Sequence, residues 1–329
     1  MSYNYLENLD NVDLKNKSVL IIGAGYIANE YALSLSSMGI KNVTILSKSK
    51  KTSLALCDIY GFKSYFGGYE KILPILPKMD LVIIATPVLT LLPAAKCALE
   101  NGQTNILIEK PGSLYFTELE SLSNKYPNSH VRIAYNRLQY PNFHLLKQLC
   151  SDDGGITSCT FTFTEWLDRI DLTKYPSSIL ERWGIANSNH VISMAFELIG
   201  LPKILTPHQF GSLDWHKSGS IFVGSGISEK NIPFSYHADW NSAGRWGIEI
   251  MTNENSYRLI PLEELYVCEK NSTQWKKVPF QVKYPDIKQG FVEQISLMLE
   301  KDSSSNDDLV SLEKSVKFNK ITEKIFGYS

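Results

Sequence analysis

The sequence predicts an α/β protein of two domains, in which a doubly wound parallel sheet is followed by an α+β domain with a mostly antiparallel sheet. Three observations support this fold class. The 329 residues exceed what one ordinary hydrophobic core holds. Over the first 125 residues, short and continuously apolar runs alternate with helical segments, which is typical of parallel strands covered on both faces. Beyond about residue 130 shorter runs follow one another, so we place the domains at 1–125 and 126–329.

The first domain contains four strands that are predicted from apolar runs. The strands are 18–22, 42–46, 81–85 and 105–108, and the helices between them end at about residue 38 or span 54–60 and 91–101. Gly39, Gly61 and Gly102 stand directly after these helices, where a residue without a side chain most easily ends a helix.

The second domain has a different order of predicted elements, because most of its strands follow one another without a helix between them. Strands are predicted at 131–135, 157–163, 220–223, 234–240, 246–251 and 256–259, and helices at 140–149, 187–199, 290–300 and 309–325. Residues 302–308 (D-S-S-S-N-D-D) are predicted to form a polar loop. The succession of short strands indicates a mostly antiparallel sheet.

A glycine loop connects the first strand to the first helix. Gly23 permits the tight turn, Gly25 lets the backbone approach a pyrophosphate, and Ala28 allows close packing of helix on strand. Phosphates then bind at the positive end of the helix, beside Tyr26 and Ile27. The loop predicts a Rossmann domain that binds a nicotinamide dinucleotide.

The residues after the second strand favour NADP(H) over NAD(H). An NAD site places an acidic residue there to bind the ribose hydroxyls. This chain has Ser47, Lys48 and Ser49, then two more lysines, and its next acid is Asp58. Hydroxyl and ammonium groups bind a 2′-phosphate, whereas a carboxylate repels it. The alternative is that the lysines are an exposed loop face.

Further cofactor contacts are predicted at strand ends, where α/β sheets bind their ligands. Thr86 and Pro87 end one strand, and Glu109, Lys110 and Pro111 end the next.

The chain resembles the glucose–fructose oxidoreductase/inositol dehydrogenase/MocA (Gfo/Idh/MocA) family. Four motifs in order carry the resemblance over the first 150 residues: G-A-G-Y-I-A at 23–28, D-L-V-I-I-A-T-P at 80–87, I-E-K-P at 108–111 and A-Y-N-R at 134–137. It continues more loosely at 187–193 and 290–294. The resemblance implies NAD(P)-dependent oxidation or reduction of a sugar, nucleotide sugar or cyclitol at a CH–OH group, with surface-carbohydrate biosynthesis as one setting.

The resemblance also implies two catalytic residues. The lysine of the E-K-P motif contacts the reacting hydroxyl in such enzymes, which assigns that role to Lys110. A histidine that opens a helix of the other domain corresponds to His190. The family has an aspartate four residues before this histidine, whereas this chain has Ala186. If the helix begins near Asn187, that residue or Asn189 caps it, and the helix dipole keeps the imidazole neutral for proton transfer.

Candidate substrate contacts lie in and around the connection between the predicted strand at 157–163 and the predicted helix at 187–199. They are Trp166, Arg169, Arg182, Trp183 and Asn187, with Asp168 beside them and a second cluster at His237, Trp240, Arg245 and Trp246. Aromatic faces suit sugar rings, and guanidinium groups suit phosphates. Packing explains each of these residues singly as well. Tyr135, Asn136 and Arg137 are interpreted as structural links.

Composition argues against several other classes of protein. The formal net charge of −1 opposes general nucleic-acid binding, although a local basic pocket for one phosphate is compatible with it. The apolar runs are too short to cross a bilayer of roughly 30 Å. Five widely spaced cysteines fit neither a disulfide framework nor a zinc site, so we expect no metal. Without a secretory-type start, the expected location is cytoplasmic, and the expected assembly is a homodimer or homotetramer through the second domain's sheet.

Two alternatives to the sugar oxidoreductase remain open. Ala186 favours a dinucleotide-binding sensor or regulatory protein that has lost catalysis, whereas the intact motif at 109–111 opposes that interpretation. The other alternative is an enzyme that acts on a ketone or imine outside the sugars.

Overall fold

The computed structural model describes residues 14–300 and 308–328, so residues 1–13 and most of the predicted loop at 302–308 lie outside the described residues. The strands are β1 (Val19–Ile22), β2 (Val43–Ser47), β3 (Lys63–Phe66), β4 (Leu81–Ile84), β5 (Asn105–Glu109), β6 (His130–Ala134), β7 (Ser158–Phe163), β8 (Pro202–Phe210), β9 (Ile221–Ser228), β10 (Pro233–Asp239), β11 (Trp246–Met251), β12 (Asn255–Leu259), β13 (Tyr266–Glu269), β14 (Lys276–Lys277) and β15 (Val310–Ser311). The helices are α1 (Tyr26–Ser37), α2 (Lys50–Tyr60), α3 (Tyr69–Ile72), α4 (Val88–Glu100), α5 (Phe116–Lys125), α6 (Pro141–Asp152), α7 (Ser177–Leu180), α8 (Asn189–Ile199), α9 (Phe291–Leu299) and α10 (Leu312–Phe326).

The described chain divides into two compact units, and neither is continuous in sequence. The dinucleotide unit holds residues 14–139, 282–300 and 308–316, and the second unit holds 140–281 and 317–328. The division differs from the predicted boundary near residue 125. Strand β6 pairs with β5 in the first sheet, and a later segment that begins at Val282 belongs to the same unit. The pattern of apolar runs along the sequence reveals neither feature.

The dinucleotide unit is built on a seven-stranded sheet in the order β15-β6-β5-β4-β1-β2-β3. All neighbours run parallel except β15 and β6. Strands β1 and β4 are buried along their whole length, as their continuous apolar sequences predict. Parallel pairing brings the carboxyl ends of β1, β2, β4 and β5 to one edge, where the glycine loop and the later motifs lie.

The core of the dinucleotide unit includes side chains from distant parts of the sequence. Phe291 and Ile295 of α9 join a buried apolar cluster with Val19, Tyr31 and Leu107. The Tyr31 and Phe291 rings lie 4.5 Å apart. Helix α9 therefore belongs to the packing of the first sheet, although about 160 residues of sequence separate it from β6.

The second unit contains an eight-stranded sheet in the order β14-β13-β12-β11-β7-β10-β9-β8. Its pairs are antiparallel except β7 with β10, so the prediction of a mostly antiparallel sheet is confirmed. Phe161 and Phe163 of β7 point to the buried face. Helix α8 packs against β7 and β11 and is buried almost throughout.

Most predicted elements are present, and the errors concern short elements and strands without an apolar run. The predicted helix at 309–325 begins at Leu312, because Val310 and Ser311 pair with β6 instead. The sequence does not predict strands β3, β8, β13 and β14 or helices α3, α5 and α7. Strands β3 and β8 contain no buried residue, so no apolar run marks them. All five cysteines are free thiols, four of them buried. No helix in the described part of the chain is long and apolar enough to cross a membrane.

Candidate functional site

The glycine loop follows β1 and contacts the end of β4. Gly23 has a φ of 132°, and a Cβ atom at this position would lie 2.3 Å from the Ala85 carbonyl oxygen. Its N–H donates to Leu46 O at 2.8 Å. Gly23 is therefore required by the turn and by the close approach of two strand ends. Gly25 differs, because a Cβ there would meet no atom within 4 Å. Open space in front of Gly25 fits a bound group.

Helix α1 presents its N-terminus at this loop. The first intrahelical hydrogen bond runs from Asn29 N–H to Gly25 O at 3.0 Å, so the preceding amides have no acceptor within the helix. No acidic residue lies in the first turn. Tyr26 is 69% exposed, whereas Ala28 is fully buried. Outward-facing amides at the positive end of a helix suit a phosphate group.

Thr86 follows β4 and lies next to the glycine loop, where its hydroxyl forms part of the candidate site. Its Oγ1 atom is buried and has no hydrogen-bond partner within residues 14–300 and 308–328. A buried hydroxyl without a partner is costly unless a ligand supplies one. The adjacent Pro87 is exposed and stands at the N-cap of α4. The loop, the helix end and this hydroxyl together fit a dinucleotide.

The segment after β2 carries three exposed lysines at the start of α2. Ser47 Oγ donates to Ser49 O at 2.7 Å, which fixes the turn. Ser49 is the N-cap residue, but its side chain makes no capping hydrogen bond. Lys50 and Lys51 occupy the first turn of α2, and Lys48 precedes it. Cations at the positive end of a helix are disfavoured unless an anion binds there.

Glu109 and Lys110 lie at the carboxyl end of β5. Tyr31 donates its hydroxyl to Glu109 Oε1 at 2.7 Å. Burial raises the pKa of Glu109, and the hydrogen bond from Tyr31 and the charge of Lys110 partly oppose that effect. Burial also raises the pKa of Tyr31. Glu109 is thereby anchored to α1, and the next residue, Lys110, is half-buried and joined to Pro111 by a cis peptide bond.

In the second unit, His190 is the second residue of α8. A π-helical turn over Gly184–Ser188 precedes it, so α8 does not begin at a free end. The expected side-chain cap is therefore wrong, since neither Asn187 nor Asn189 makes one. Asn189 instead donates to Asn319 Oδ1 at 2.8 Å. The buried imidazole of His190 lies 5.8 Å from the Trp246 ring, measured between centroids.

A buried carboxylate that sequence reasoning missed organises this turn. Glu165 is 1% exposed and accepts hydrogen bonds from four side chains. Asn187 Nδ2 lies 3.0 Å from both oxygens, Ser188 Oγ donates at 2.7 Å, Arg245 Nη1 at 2.6 Å and Trp246 Nε1 at 3.2 Å. Glu165 directly follows the strand run T-F-T-F-T, and its partners stand 22 to 81 residues away, so no local pattern identifies it.

Two arginines stack on Trp166, whose side chain is 43% exposed. The guanidinium carbon of Arg169 lies 4.7 Å from the Trp166 ring centroid, and that of Arg245 lies 5.0 Å from it. Arg245 also lies 4.3 Å from the Trp246 centroid. The structure thus brings together Trp166, Arg169, Arg245 and Trp246, with Asn187 and His190 on the same network. Aromatic faces and guanidinium groups in this arrangement suit a carbohydrate with polar substituents.

Other predicted contacts are engaged in packing. Arg182 is buried, pairs with Glu323, and lies 4.9 Å from the Tyr328 ring. Trp183 is also buried and stacks edge-on against Tyr175, 5.2 Å between centroids. Because these contacts hold Arg182 and Trp183 within the packing of the second unit, neither residue is included in the proposed substrate site. Trp240 packs in an aromatic core, whereas His237 and Asp168 are exposed; Tyr135 and Asn136 are buried in the first unit.

Among the comparisons with known proteins, the match to a family model falls within the first unit. Residues 17–136 match the family model described as "Oxidoreductase family, NAD-binding Rossmann fold" (GFO_IDH_MocA). Curated relatives match only a short stretch. Glutamyl-tRNA reductase of Sulfurisphaera tokodaii is 34% identical over 85 residues, which is 26% of this chain and 20% of that protein. Shikimate dehydrogenase (NADP(+)) of Methanothermobacter thermautotrophicus is 36% identical over 87 residues, which is 25% of this chain and 30% of that protein. The chain thus spans less than a third of either relative.

Solved structures match almost the whole chain at low identity. An oxidoreductase of Thermotoga maritima has a TM-score of 0.76 at 16% identity, covering 94% of this chain and 95% of that one. UDP-N-acetylglucosamine 3-dehydrogenase of Acidithiobacillus ferrooxidans has a TM-score of 0.72 at 13% identity, covering 94% and 96%. Levoglucosan dehydrogenase in complex with NADH and L-sorbose has a TM-score of 0.74 at 17% identity, with the same coverage.

These similarities confirm the predicted fold class and the resemblance inferred from the four motifs. The glycine loop, the open helix end and the buried threonine hydroxyl occupy the stretch that the family model covers. Residues 17–136 therefore resemble the Gfo/Idh/MocA oxidoreductase family, whose model describes an NAD-binding Rossmann fold.

Proposed function

We propose that this protein is an NADP(H)-dependent oxidoreductase that acts on a CH–OH group of a sugar, nucleotide sugar or cyclitol. The observation that carries the proposal is the glycine loop at the start of α1, with open space at Gly25 and a buried Thr86 hydroxyl that lacks a partner within the described residues. Neighbouring folds named as sugar and nucleotide-sugar dehydrogenases support the substrate class. A place in surface-carbohydrate biosynthesis and a cytoplasmic location stay predictions.

In the proposed mechanism, the glycine loop, the N-terminus of α1 and Thr86 would hold a nicotinamide dinucleotide, which would supply hydride transfer to or from the substrate carbon. Lys110 binds the substrate oxygen and stabilises negative charge that develops on it, because a compact ammonium interacts strongly with an alkoxide-like oxygen. His190 accepts the hydroxyl proton in oxidation and returns it in reduction. Trp166, Arg169 and Asn187 bind the sugar. The roles of Lys110 and His190 are those that the family resemblance assigns.

The preference for NADP(H) is proposed from the cationic start of α2. Ser47, Lys48 and Ser49 would bind a 2′-phosphate, and Lys50 and Lys51 add positive charge beside them. We expect the wild type to bind NADPH more tightly than NADH. A Lys48→Glu, Ser49→Asp double variant should reverse that order, because the new carboxylates repel the phosphate and accept bonds from ribose.

Dissociation constants for both nucleotides, measured by quenching of tryptophan fluorescence, test this preference. Lys41→Glu is a matched control, because Lys41 is also an exposed lysine and lies two residues before β2, at the opposite end of that strand. Tighter binding of NADH by the wild type would refute the NADP(H) proposal and leave dinucleotide binding intact.

The proposed activity is tested by NADPH oxidation with a panel of keto-sugars, keto-nucleotide sugars and inosose. We expect turnover by the wild type and a fall of at least about a hundredfold in kcat for Lys110→Ala, in line with the loss of an electrostatic group at a reacting oxygen. Tight NADPH binding without turnover of any compound would favour the non-catalytic sensor, which Ala186 supports. Turnover of only simple ketones or imines would instead favour the non-sugar enzyme.

We also propose that two copies associate through the outer face of the second unit's sheet. Ile204, Phe210 and Ile227 expose 51%, 55% and 37% of their surface on β8 and β9, which is unusual for large apolar side chains that have no partner to cover them. We expect a homodimer or homotetramer in gel filtration with light scattering. A mass near 37 kDa would contradict this expectation.

A further inference from the structure

Lys288 comes from the segment that returns to the dinucleotide unit after the second unit. It precedes α9 by three residues and is half-buried. Its Nζ atom lies 5.4 Å from the Tyr26 ring centroid and 5.3 Å from the Phe291 ring centroid. Tyr26 is the first residue of α1 and directly follows Gly25. The ammonium group of Lys288 therefore lies beside the N-terminus of the helix that follows the glycine loop.

The backbone next to Lys288 is fixed by contacts within the same unit. Gly290 has a φ of 85°, and a Cβ there would lie 2.1 Å from the Asn136 carbonyl oxygen. Asn136 Nδ2 donates to Gln289 O at 3.1 Å. Phe291 follows at once and is packed against Tyr31. A long side chain on so constrained a segment is pre-positioned, which lowers the entropic cost of binding a ligand.

The Lys288 ammonium has no bonded anion among residues 14–300 and 308–328. Within the described residues it makes no hydrogen bond or ion pair, although Glu109 and Glu30 attract its charge from farther away and Arg137 repels it. Burial lowers the pKa of Lys288, and the two glutamates only partly restore it. A partly dehydrated ammonium gains most from an acceptor of opposite charge within hydrogen-bond distance.

We propose that Lys288 binds a pyrophosphate oxygen of the dinucleotide, opposite the backbone amides of α1. This inference rests on the proposed function, because it requires that the glycine loop hold a dinucleotide. It adds a cationic side chain from the far end of the chain to a phosphate site that the loop otherwise forms with neutral amides. It also separates two groups of lysines, since those at the start of α2 would bind the 2′-phosphate and Lys288 the pyrophosphate.

The test compares the wild-type chain with Lys288→Met, which keeps the length and the apolar contacts of the side chain. The probes are ADP-ribose, AMP, NADPH and NADH, and their dissociation constants are measured by calorimetry. We expect affinity for ADP-ribose, NADPH and NADH to fall about tenfold, as for the loss of one charge-assisted hydrogen bond. Affinity for AMP, which lacks a pyrophosphate, should fall much less. The NADPH to NADH ratio should stay unchanged, and Lys288→Arg should recover most of the loss.

Lys283→Met serves as the control, because Lys283 is an exposed lysine five residues earlier in the same segment. Unchanged ADP-ribose affinity in Lys288→Met would overturn the inference, as would a loss confined to NADPH, which would assign Lys288 to the 2′-phosphate. If Lys288→Met fails to fold, Lys288→Gln replaces it, with the same expectations. A wild-type chain that binds none of the dinucleotides would refute the proposed function itself, which is a distinguishable result.

Discussion

At the scale of single residues, two glycines of one loop are required for different reasons. Gly23 needs both its positive φ and its missing side chain, because the Ala85 carbonyl oxygen occupies the place where a Cβ would lie. Gly25 has an extended backbone, with φ at −92°, and open space in front of it. The first glycine is required by the fold, and the second leaves open the space that the proposed dinucleotide would occupy.

Alanine substitutions should separate these two roles. Gly23→Ala should lower the free energy of unfolding of the dinucleotide unit by about 3 kcal/mol, because it combines backbone strain with an overlap against a main-chain atom. Gly25→Ala should leave thermal stability nearly unchanged while weakening NADPH binding at least about tenfold, because its methyl group enters the ligand space. Differential scanning calorimetry and NADPH titration measure the two effects. Equal stability of both variants would contradict the assignment of Gly23 to the fold.

At the scale of secondary-structure elements, the start of α8 illustrates what sequence reasoning reaches and what it misses. The apolar spacing of residues 187–199 predicts a helix, and a helix is present. The π-helical turn before it is not predicted, since Glu165, in the segment after β7, bonds to Asn187 and Ser188 of this turn from 22 and 23 residues away. Likewise, β1 and β4 are evident as continuous apolar runs, whereas β8 pairs at the sheet edge with an exposed, mixed sequence.

The same distinction applies to the candidate site. The glycine loop, Thr86 and the motif at 109–111 are recognisable because a fixed local spacing carries their geometry. Glu165 and Lys288 are not, because their neighbours are distant in sequence and only the fold brings them close. Arg182 is the opposite case: the sequence suggests a substrate contact, but the fold pairs its guanidinium group with Glu323.

Removing the carboxylate of Glu165 should loosen the turn that leads to His190. In Glu165→Gln an amide group replaces one of two oxygens that both face donors, so we expect a loss of about 2–4 kcal/mol in the stability of the second unit. Hydrogen exchange over residues 184–190 should accelerate, and kcat should fall while the NADPH dissociation constant stays constant. Glu181→Gln, at an exposed acid of the same stretch, should change none of these. Unchanged exchange in Glu165→Gln would contradict the positioning role.

At the scale of the whole molecule, each unit contains a histidine whose neutral form is favoured by burial: the half-buried His130 of the dinucleotide unit and the fully buried His216 of the second unit. Burial lowers the pKa of His130 in the dinucleotide unit to about 4 and that of His216 in the second unit to about 4, from an ordinary value of 6.5. The unfolded chain therefore binds more protons than the folded chain between these values. The contribution of these two histidines to stability is complete above about pH 6.5 and is lost as the pH is lowered toward 4.

His216 should account for a measurable part of that acid sensitivity. The residue is fully buried, so its neutral form contributes up to about 3 kcal/mol that is lost on going from pH 6.5 to pH 4. In urea unfolding at several pH values, His216→Gln should flatten the dependence of stability on pH in this window. His208→Gln, at an exposed position, should not. An equal slope in wild type and His216→Gln would exclude this histidine as a cause.

The return of residues 282–300 and 308–316 to the dinucleotide unit has a consequence for synthesis on the ribosome. A nascent chain that has exposed only residues 1–139 still lacks Phe291, which packs on Tyr31, and Gly290, which seats against Asn136. It also lacks Val310, whose strand closes the β6 edge. The dinucleotide unit can therefore complete its core only after the intervening unit has emerged. During that interval its apolar surface and its open sheet edge are exposed, and that is when a chaperone would bind it.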